Sequence, residues 1–291
     1  MPDRNILLAW NNLSDSGTFS QSFGSWTTAL PVENLAVESI SQVARSSGIT
    51  TNITKFESDL GGSRLIYIIG LIAHNMTPNA LVRITASNDP LFATTAYQTT
   101  WLDVVPVVWG SGNGGLWGVD GVWTGKYLET DLEGITKNFW HVPATPVLAR
   151  YWRVEMDDTL NSDGYIDIGR LFIGPAWIPT YNFGIGAKLS WEDPSIISSG
   201  LDGVNFVEAK TKKRVFKFNL SFLGKDEAMA QAFETQRRQG TTGQVVIIPY
   251  PDQATHQFRE SFLGRMRELT PLEIRQVGFH DTGFAVEEII G

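Results

Sequence analysis

The sequence contains no cysteine and only four histidines among its 291 residues. Without cysteine there are no disulfides, no thiolate nucleophiles and no zinc sites built on sulfur. The histidines (His74, His141, His256 and His280) are far apart and form no H-E-x-x-H pattern or close pair. A G-x-S-x-G nucleophile motif is also missing. We therefore expect a protein without catalytic residues, although its many carboxylates leave a glycan-processing enzyme as a third interpretation.

Basic residues and long apolar runs are scarce as well. The chain has 23 Lys and Arg against 31 Asp and Glu, a net charge of −8, which argues against nucleic-acid binding. The longest apolar run, residues 65–73, is about half of what a membrane-spanning helix needs. The first residues do not resemble a secretory signal peptide. We expect a soluble protein, without membrane insertion, that is made and assembled in a cytoplasm.

The tryptophans and the charge divide the chain near residue 178. None of the ten tryptophans lies in the last hundred residues, and residues 1–180 have a net charge of −7 against −1 for residues 181–291. Pro175 and Pro179 interrupt regular structure between these parts. The sequence therefore predicts two domains, residues 1–178 and 179–291.

The first domain has the pattern of short strands. In residues 79–89, Val82, Ile84 and Ala86 alternate with Arg83 and Thr85, which is the period of a half-buried strand. Residues 149–158 and 164–174 behave in the same way, and turns rich in Gly, Asn and Asp separate them. The fold class that we predict is mainly β, with an N-terminal jelly-roll β-sandwich.

The second domain combines strands with one helix. In residues 214–224, Phe216, Phe218, Leu220 and Phe222 are expected to face one side of a strand. Residues 225–240 then have acidic residues early, arginines late and Gly240 as a C-terminal cap, which predicts a helix with a narrow apolar stripe formed by Ala228, Met229, Ala232 and Phe233. Residues 243–252 follow as a strand buried on both faces. This is a smaller α+β domain.

A loop rich in glycine and tryptophan occupies residues 108–125. It matches G-x-G-x-x-G at Gly110, Gly112 and Gly115, but the glycines that follow exclude the helix that would hold a dinucleotide. We expect no cofactor. Its tryptophans could form a small core of their own, contact a protein partner or stack on a sugar. The candidate contact residues are Trp109, Trp117 and Trp123, with Trp117 expected to reach outward.

Residues 157–163 form an acidic loop with oxygen ligands of the kind that calcium accepts. Asp157, Asp158, Asn161 and Asp163 are present, but their spacing is not that of an EF-hand. We predict a solvated turn between strands and no metal site, and calcium remains the alternative.

Three stretches resemble the discoidin, or F5/8 type C, pattern. They are "LPVENLA", "DLGGSRLIYIIGLIAHNMTPNALVRITASND" and "ARYWRVEMDDTLNSDGYIDIGRLFIG", and together they extend over about residues 25–175. The resemblance implies a galactose-binding-like jelly roll. The ligand loops of that family vary freely, so no binding residue is transferred to this chain.

The arrangement as a whole is similar to structural proteins of long-tailed bacteriophages. The second domain resembles the sheet-plus-helix modules that form rings in tail tubes and distal tail proteins, although here the domain order is reversed. The resemblance implies a structural subunit of a phage tail tip or baseplate, assembled in the host cytoplasm into the virion tail. Its expected partners are other tail proteins and further copies in a ring. The alternative is a carbohydrate-binding protein that recognises a host-surface glycan.

Overall fold

The computed structural model describes residues 3–20, 24–108, 125–199 and 204–291. The chain is mainly β, with 42% of the described residues in strands, which confirms the predicted fold class. The strands of the described residues are β1 (Leu7–Ala9), β2 (Thr18–Ser20), β3 (Ala44–Arg45), β4 (Lys55–Ile66), β5 (Ile68–His74), β6 (Leu81–Ser87), β7 (Tyr97–Gln98), β8 (Leu102–Asp103), β9 (Asn138–His141), β10 (Val147–Asp157), β11 (Asp167–Gly174), β12 (Lys188–Glu192), β13 (Ile196–Ser199), β14 (Asn205–Glu208), β15 (Lys213–Gly224), β16 (Val245–Ile248), β17 (Phe262–Met266), β18 (Glu273–Gln276) and β19 (Phe279–Glu288).

Two compact units make up the chain. The sandwich unit consists of Asn11–Ala176, Tyr250–Arg259 and Gly291, and the helix-bearing unit consists of Met1–Trp10, Trp177–Pro249 and Glu260–Ile290. The first residues of the chain thus belong with its last third, because β1 pairs with β16 in one sheet. The predicted division into two domains, residues 1–178 and 179–291, stays a prediction.

The sandwich unit is built from two antiparallel sheets. One has the strand order β2-β4-β10-β6-β7, with β8 also paired to β6, and the other has the order β3-β11-β5-β9. The alternation predicted for β6 is present, since Val82, Ile84 and Ala86 are buried in the core between them. Trp152 on β10 is the largest fully buried side chain of this core. Among the described residues of this unit before Tyr250, the helical elements are three short 3-10 turns.

The helix-bearing unit contains one larger sheet. Its strand order is β1-β16-β17-β19-β15-β12, with β18 paired to β19. The predicted helix is present as three consecutive segments, Lys225–Glu227, Ala228–Phe233 with π geometry and Glu234–Gln239, which together we call α1. It ends at Gly240, whose φ of 52° is a conformation that favours glycine. A second short helix, α2 (Gln257–Glu260), belongs to the sandwich unit as far as Arg259. No helix of the described residues is long and apolar enough to span a membrane.

The predicted alternation of buried and exposed side chains along β15 is wrong at the C-terminal end of the strand. Phe216, Phe218 and Leu220 are buried as predicted, but Phe222 is 54% exposed. A β-bulge between Leu220 and Leu223 shifts the register of β15 against β19, and an extra residue in a strand reverses the side that the next side chain faces.

Two further expectations about this unit are corrected. On α1, Ala228 and Ala232 are buried but Met229 and Phe233 are exposed, so the apolar stripe is narrower than the pattern indicated. The sequence also predicts that residues 243–252 and 283–291 supply sheet edges that pair between subunits. Both are interior, because β16 lies between β1 and β17, and β19 lies between β17 and β15.

Candidate functional site

The sequence-predicted contact residues Trp109, Trp117 and Trp123 lie outside the described residues. The first and last residues of their loop are joined by a hydrogen bond from the Val108 amide to the Gly125 carbonyl over 2.7 Å. The hypothesis that these tryptophans contact a partner or a glycan stays a prediction.

A cavity with a volume of about 310 Å³ lies in the sandwich unit. Three stretches that are far apart in sequence form its walls. They are the end of β8 with the residues after it, the edge strand β9 with Val142, and the segment that contains α2. The lining residues are Leu102, Asp103, Val104, Pro106, Asn138, Phe139, Trp140, His141, Val142, Pro251, Asp252, Ala254, Gln257 and Phe258.

Trp140 is the largest side chain in this lining. It lies opposite Gly70 on the neighbouring strand β5, and a Cβ atom at Gly70 would come within 2.2 Å of the indole ring. Glycine at this position therefore makes room for the ring. Trp140 is only 5% exposed, and its buried Nε1–H has no acceptor among the described residues. A buried donor without a partner costs free energy unless a water molecule or a ligand supplies the acceptor.

The polar side chains of the cavity are held by hydrogen bonds to the surrounding protein. The Nε2 atom of His141 and the hydroxyl of Tyr97 are 2.7 Å apart, and the two rings are stacked. Burial raises the pKa of the Tyr97 hydroxyl. The Oδ1 atom of Asn138 accepts a hydrogen bond from the Ala73 amide over 3.1 Å. These partners fix the orientation of the lining before any ligand binds, which lowers the entropy cost of binding.

Acidic side chains line the cavity, and no lysine or arginine is among the described residues that line it. Lys126, just outside, donates to the carboxylate of Asp103 over 2.6 Å and to the Pro78 carbonyl over 3.2 Å. Asp252 provides the second carboxylate. The cavity thus offers hydrogen-bond acceptors and an aromatic wall, without a cation that would favour phosphate or another anion.

The third wall is fixed by aromatic contacts to Tyr127. Its ring meets that of Phe258 edge-on with centroids 5.2 Å apart, and the guanidinium of Arg259 lies 4.1 Å from its centroid. Its hydroxyl is 3.3 Å from Nδ1 of His256, whose φ of 64° is rare for a residue other than glycine. Strained backbone persists where surrounding contacts hold it, so this segment is a fixed part of the cavity.

The calcium candidates at residues 157–163 have other partners. The carboxylate of Asp158 accepts hydrogen bonds from the amide and hydroxyl of Thr77 and from the side chain of Asn161, over 2.9, 2.5 and 3.0 Å. Asp163 accepts from Asn75 over 2.8 Å. These bonds hold the turn after β10. No cluster of three or more potential metal ligands occurs in the part of the chain that the structure describes.

His74, the last residue of β5, is buried and neutral. Burial, helped by the charge of Lys137, lowers its pKa to about 3. Its Nδ1 atom accepts a hydrogen bond from the Met76 amide over 3.2 Å. It is therefore a residue that closes the strand end rather than a general base working near neutral pH.

No local sequence pattern predicts the cavity. Trp140 and His141 follow Phe139 in an ordinary strand pattern, and Asp252 and Phe258 lie more than a hundred residues further along the chain. Only the pairing of β9 with β5 and the packing of the 250–259 segment in this unit bring them together.

No protein-family model matches the sequence, and no curated protein matches it either. Among solved structures, the chain is similar to a family 32 carbohydrate-binding module of a family 31 glycoside hydrolase from Clostridium perfringens, with 11% identity and a TM-score of 0.37 over 57% of this chain and 99% of that one. The family 32 module of NanJ from the same organism, in complex with galactose, has 13% identity and a TM-score of 0.37, and the match covers 57% of this chain and 98% of that module. A fucose-binding module from Streptococcus pneumoniae has 9% identity and a TM-score of 0.33, and the match covers 56% of this chain and 94% of that module.

Proposed function

We propose that this chain is a non-catalytic carbohydrate-binding protein and that the cavity of the sandwich unit receives a sugar. The observation that carries the proposal is the lining itself, which combines an aromatic wall with fixed hydrogen-bonding groups in one concave site. Its volume of about 310 Å³ is at the small end of ligand sites, which suits one sugar ring better than a nucleotide or a larger cofactor.

The chemistry of a sugar matches the groups that line the cavity. A pyranose has apolar C–H faces that pack on aromatic rings and hydroxyls that both donate and accept hydrogen bonds. Donors on a sugar would meet the carboxylates of Asp103 and Asp252. The discoidin-like sequence pattern supports the same function by resemblance.

The test is glycan binding by the full chain and by Trp140→Phe. The wild type should bind at least one sugar saturably on a glycan array and in calorimetry. Phenylalanine keeps an aromatic ring at this position but shortens the wall, so affinity should fall about tenfold. Because Trp140 is only 5% exposed, the smaller ring also leaves a cavity and should lower the melting temperature, so binding is measured well below the unfolding transition of the variant.

Trp101→Phe is the matched control, since Trp101 is 36% exposed and does not line the cavity. Its affinity for the same sugar should equal that of the wild type. Absence of glycan binding by the wild type, or equal affinity of the Trp140 variant and the wild type, would contradict this function.

A second function, compatible with the first, is that of a structural subunit in a phage tail tip or baseplate. The observation that favours assembly is the hairpin β13–β14, whose described residues are all exposed and whose strands pair only with each other. A two-stranded hairpin alone is marginally stable in water, so a partner surface would stabilise it. The proposed place of assembly is the host cytoplasm, and the proposed location is the virion tail.

The assembly function is tested on purified full-length protein. Light scattering after size-exclusion chromatography should show association that increases with chain concentration, and negative-stain images should show rings or co-assembly with tail proteins. A chain that stays monomeric at millimolar concentration and does not join tail particles would exclude it.

A further inference from the structure

The strand β12 (Lys188–Glu192) is an open edge of the sheet in the helix-bearing unit. It stands last in the strand order and pairs with β15 alone among the described strands. Its five residues keep one register with β15 and include no proline. Such an edge presents unpaired backbone N–H and C=O groups on its outer side, and natural sheets usually protect or cover them. β12 is therefore a surface on which another strand can pair.

The side chains of β12 are exposed on both faces of the sheet. Leu189 and Trp191 lie on one face, with exposed fractions of 45% and 50%. Lys188, Ser190 and Glu192 lie on the other face. Two large apolar side chains in water on an open edge are typical of a surface that a partner covers.

The charge at the start of β12 is not balanced within the chain. Lys188 lies directly opposite Lys217 on β15, and like charges in this position repel each other. The ion pairs of the described residues on this sheet face involve Lys213 and Arg267 and include neither of these lysines. A carboxylate that arrived from outside the edge would relieve the repulsion.

The charge at the end of β12 is held by the interior of the sheet. Glu192 binds Arg267 over 2.7 Å, and the Arg267 amide pairs with the Ala285 carbonyl on β19. Because β15 lies between β19 and β12, Arg267 approaches Glu192 from the side away from the open edge. The Glu192 side chain is 37% exposed, and a carboxylate can accept more than two hydrogen bonds. Its outer side is therefore open to a second cation.

We infer that β12 pairs antiparallel with β12 of a second copy, about a twofold axis at Ser190. In this register Lys188 lies opposite Glu192 of the second copy, and Leu189 lies opposite its Trp191. Opposite charges thus meet on one face and apolar side chains on the other, on both sides of the axis. A register centred on Leu189 or on Trp191 instead places one charge opposite Ser190 and the other beyond the strand.

A second copy is favoured over an unrelated partner because β12 is complementary to itself in charge and in apolar side chains. The pairing joins two sheets into one across the axis, and it closes after two copies. This inference rests on the assembly function proposed above, since it names a surface through which copies of the chain associate.

Lys188→Glu is the decisive variant of the full-length protein. It places a carboxylate opposite Lys217, so the melting temperature of the single chain should not fall. Between copies it places two carboxylates opposite each other on both sides of the axis. The dimer dissociation constant, measured by light scattering after size-exclusion chromatography, should rise at least tenfold. Lys217→Glu is the matched control, because it makes the same charge change one strand further inside, and it should dimerise like the wild type.

Mixing two variants tests whether the two strands meet each other. Glu192→Lys places lysines opposite each other and should also be monomeric where the wild type is dimeric. An equimolar mixture of Lys188→Glu and Glu192→Lys restores opposite charges at both positions and should form heterodimers. Because Glu192→Lys loses the contact with Arg267, circular dichroism checks its fold before mixing.

A cysteine at the axis tests the register without any change of charge. The natural chain has no cysteine, so Ser190→Cys supplies a single thiol. Directly opposite residues of antiparallel strands have Cα atoms about 4.5–5.5 Å apart, which a disulfide can bridge. In oxidised glutathione, Ser190→Cys should form covalent dimers at least tenfold faster than Leu91→Cys, at a residue of the sandwich unit that is 79% exposed.

The outcomes separate this contact from the assembly function. If the wild type associates and Lys188→Glu associates equally, if the folded variants stay monomeric when mixed, or if Ser190→Cys crosslinks no faster than its control, the β12 contact is overturned and assembly stands. If the wild type stays monomeric at millimolar concentration, the contact is overturned, and assembly then stands or falls with incorporation into tail particles.

Discussion

The two units bury charge in different ways. In the sandwich unit, arginines on the outer face of the six-stranded sheet pair with carboxylates at the surface, as Arg83 does with Glu155 and Arg153 with Glu57. In the helix-bearing unit, Arg214 and Glu288 form an ion pair with both side chains almost fully buried. Among the ion pairs of the described residues, no other has both partners so deeply buried. These pairs of the sandwich unit stay partly exposed, so they cost little, whereas the other unit joins β15 to β19 through a buried pair that must remain complete.

The largest effect is therefore expected at Arg214. Its side chain donates to both carboxylate oxygens of Glu288, and its amide donates to the same carboxylate over 3.0 Å. Arg214→Ala leaves a buried carboxylate without its counter-charge and should lower the free energy of unfolding by about 4 kcal/mol. Chemical denaturation measures this loss. A double variant, Arg214→Met with Glu288→Leu, should recover most of it, and no recovery would show that packing rather than the unpaired charge is responsible.

Asp158 sharpens the comparison, because it is a buried carboxylate that the sandwich unit satisfies with neutral donors. Asp158→Ala leaves the amide and hydroxyl of Thr77 without their acceptor and should cost about 3 kcal/mol. Asp158→Asn keeps one carbonyl oxygen and should lose less. Urea denaturation of the two variants checks the order, and equal losses would indicate that the charge matters more than the hydrogen bonds.

Stability of the sandwich unit should fall in mild acid because of His74. Its pKa in the folded chain is about 3, below the ordinary value near 6.5, so the unfolded chain binds the proton first. The neutral form stabilises the fold above pH 6.5, and this contribution is lost as the pH falls from 6.5 toward 3. Between pH 7 and 4.5 the loss should be about 2 kcal/mol.

His74→Asn is the control for that titration. Its amide oxygen can accept from Met76 as Nδ1 does, and it does not titrate. The variant should start less stable at pH 7 and show a flatter decline in thermal melts. An identical decline in both proteins would assign the acid sensitivity to other groups.

The smallest effect is expected at the exposed pairs. Arg83→Met removes the ion pair with Glu155 and the contact of the guanidinium with the ring of Trp101, 4.7 Å from its centroid. The methionine stem keeps most of the packing, so the loss should stay below about 1 kcal/mol. It should also shrink at high salt, because surface pairs are screened. A loss comparable to that of Arg214→Ala would erase the distinction between the units.

Local patterns predicted much of the fold. The period-2 strands around Val82 and Trp152 and the helix that ends at Gly240 depend on side-chain alternation, capping and backbone preference, which neighbouring residues decide. The alternation predicted for residues 164–174 is wrong, because β11 is buried on both faces. The bulge at Phe222 could not be predicted this way, because it depends on how β15 pairs with β19 and on an acceptor at Asp281.

The sequence by itself determined that this chain is a mainly β protein with a sandwich followed by a sheet with one helix, and that it has no thiol chemistry. These properties follow from the residue composition and from the periodicity of neighbouring side chains. Only the tertiary structure decided that the first strand pairs with β16, more than two hundred residues away, that Trp140 lines a cavity with residues near 103 and 255, and that the ring of Phe222 stands in solvent at the bulge of β15. Each of these is a long-range contact, and its free energy depends on partners that no local pattern identifies.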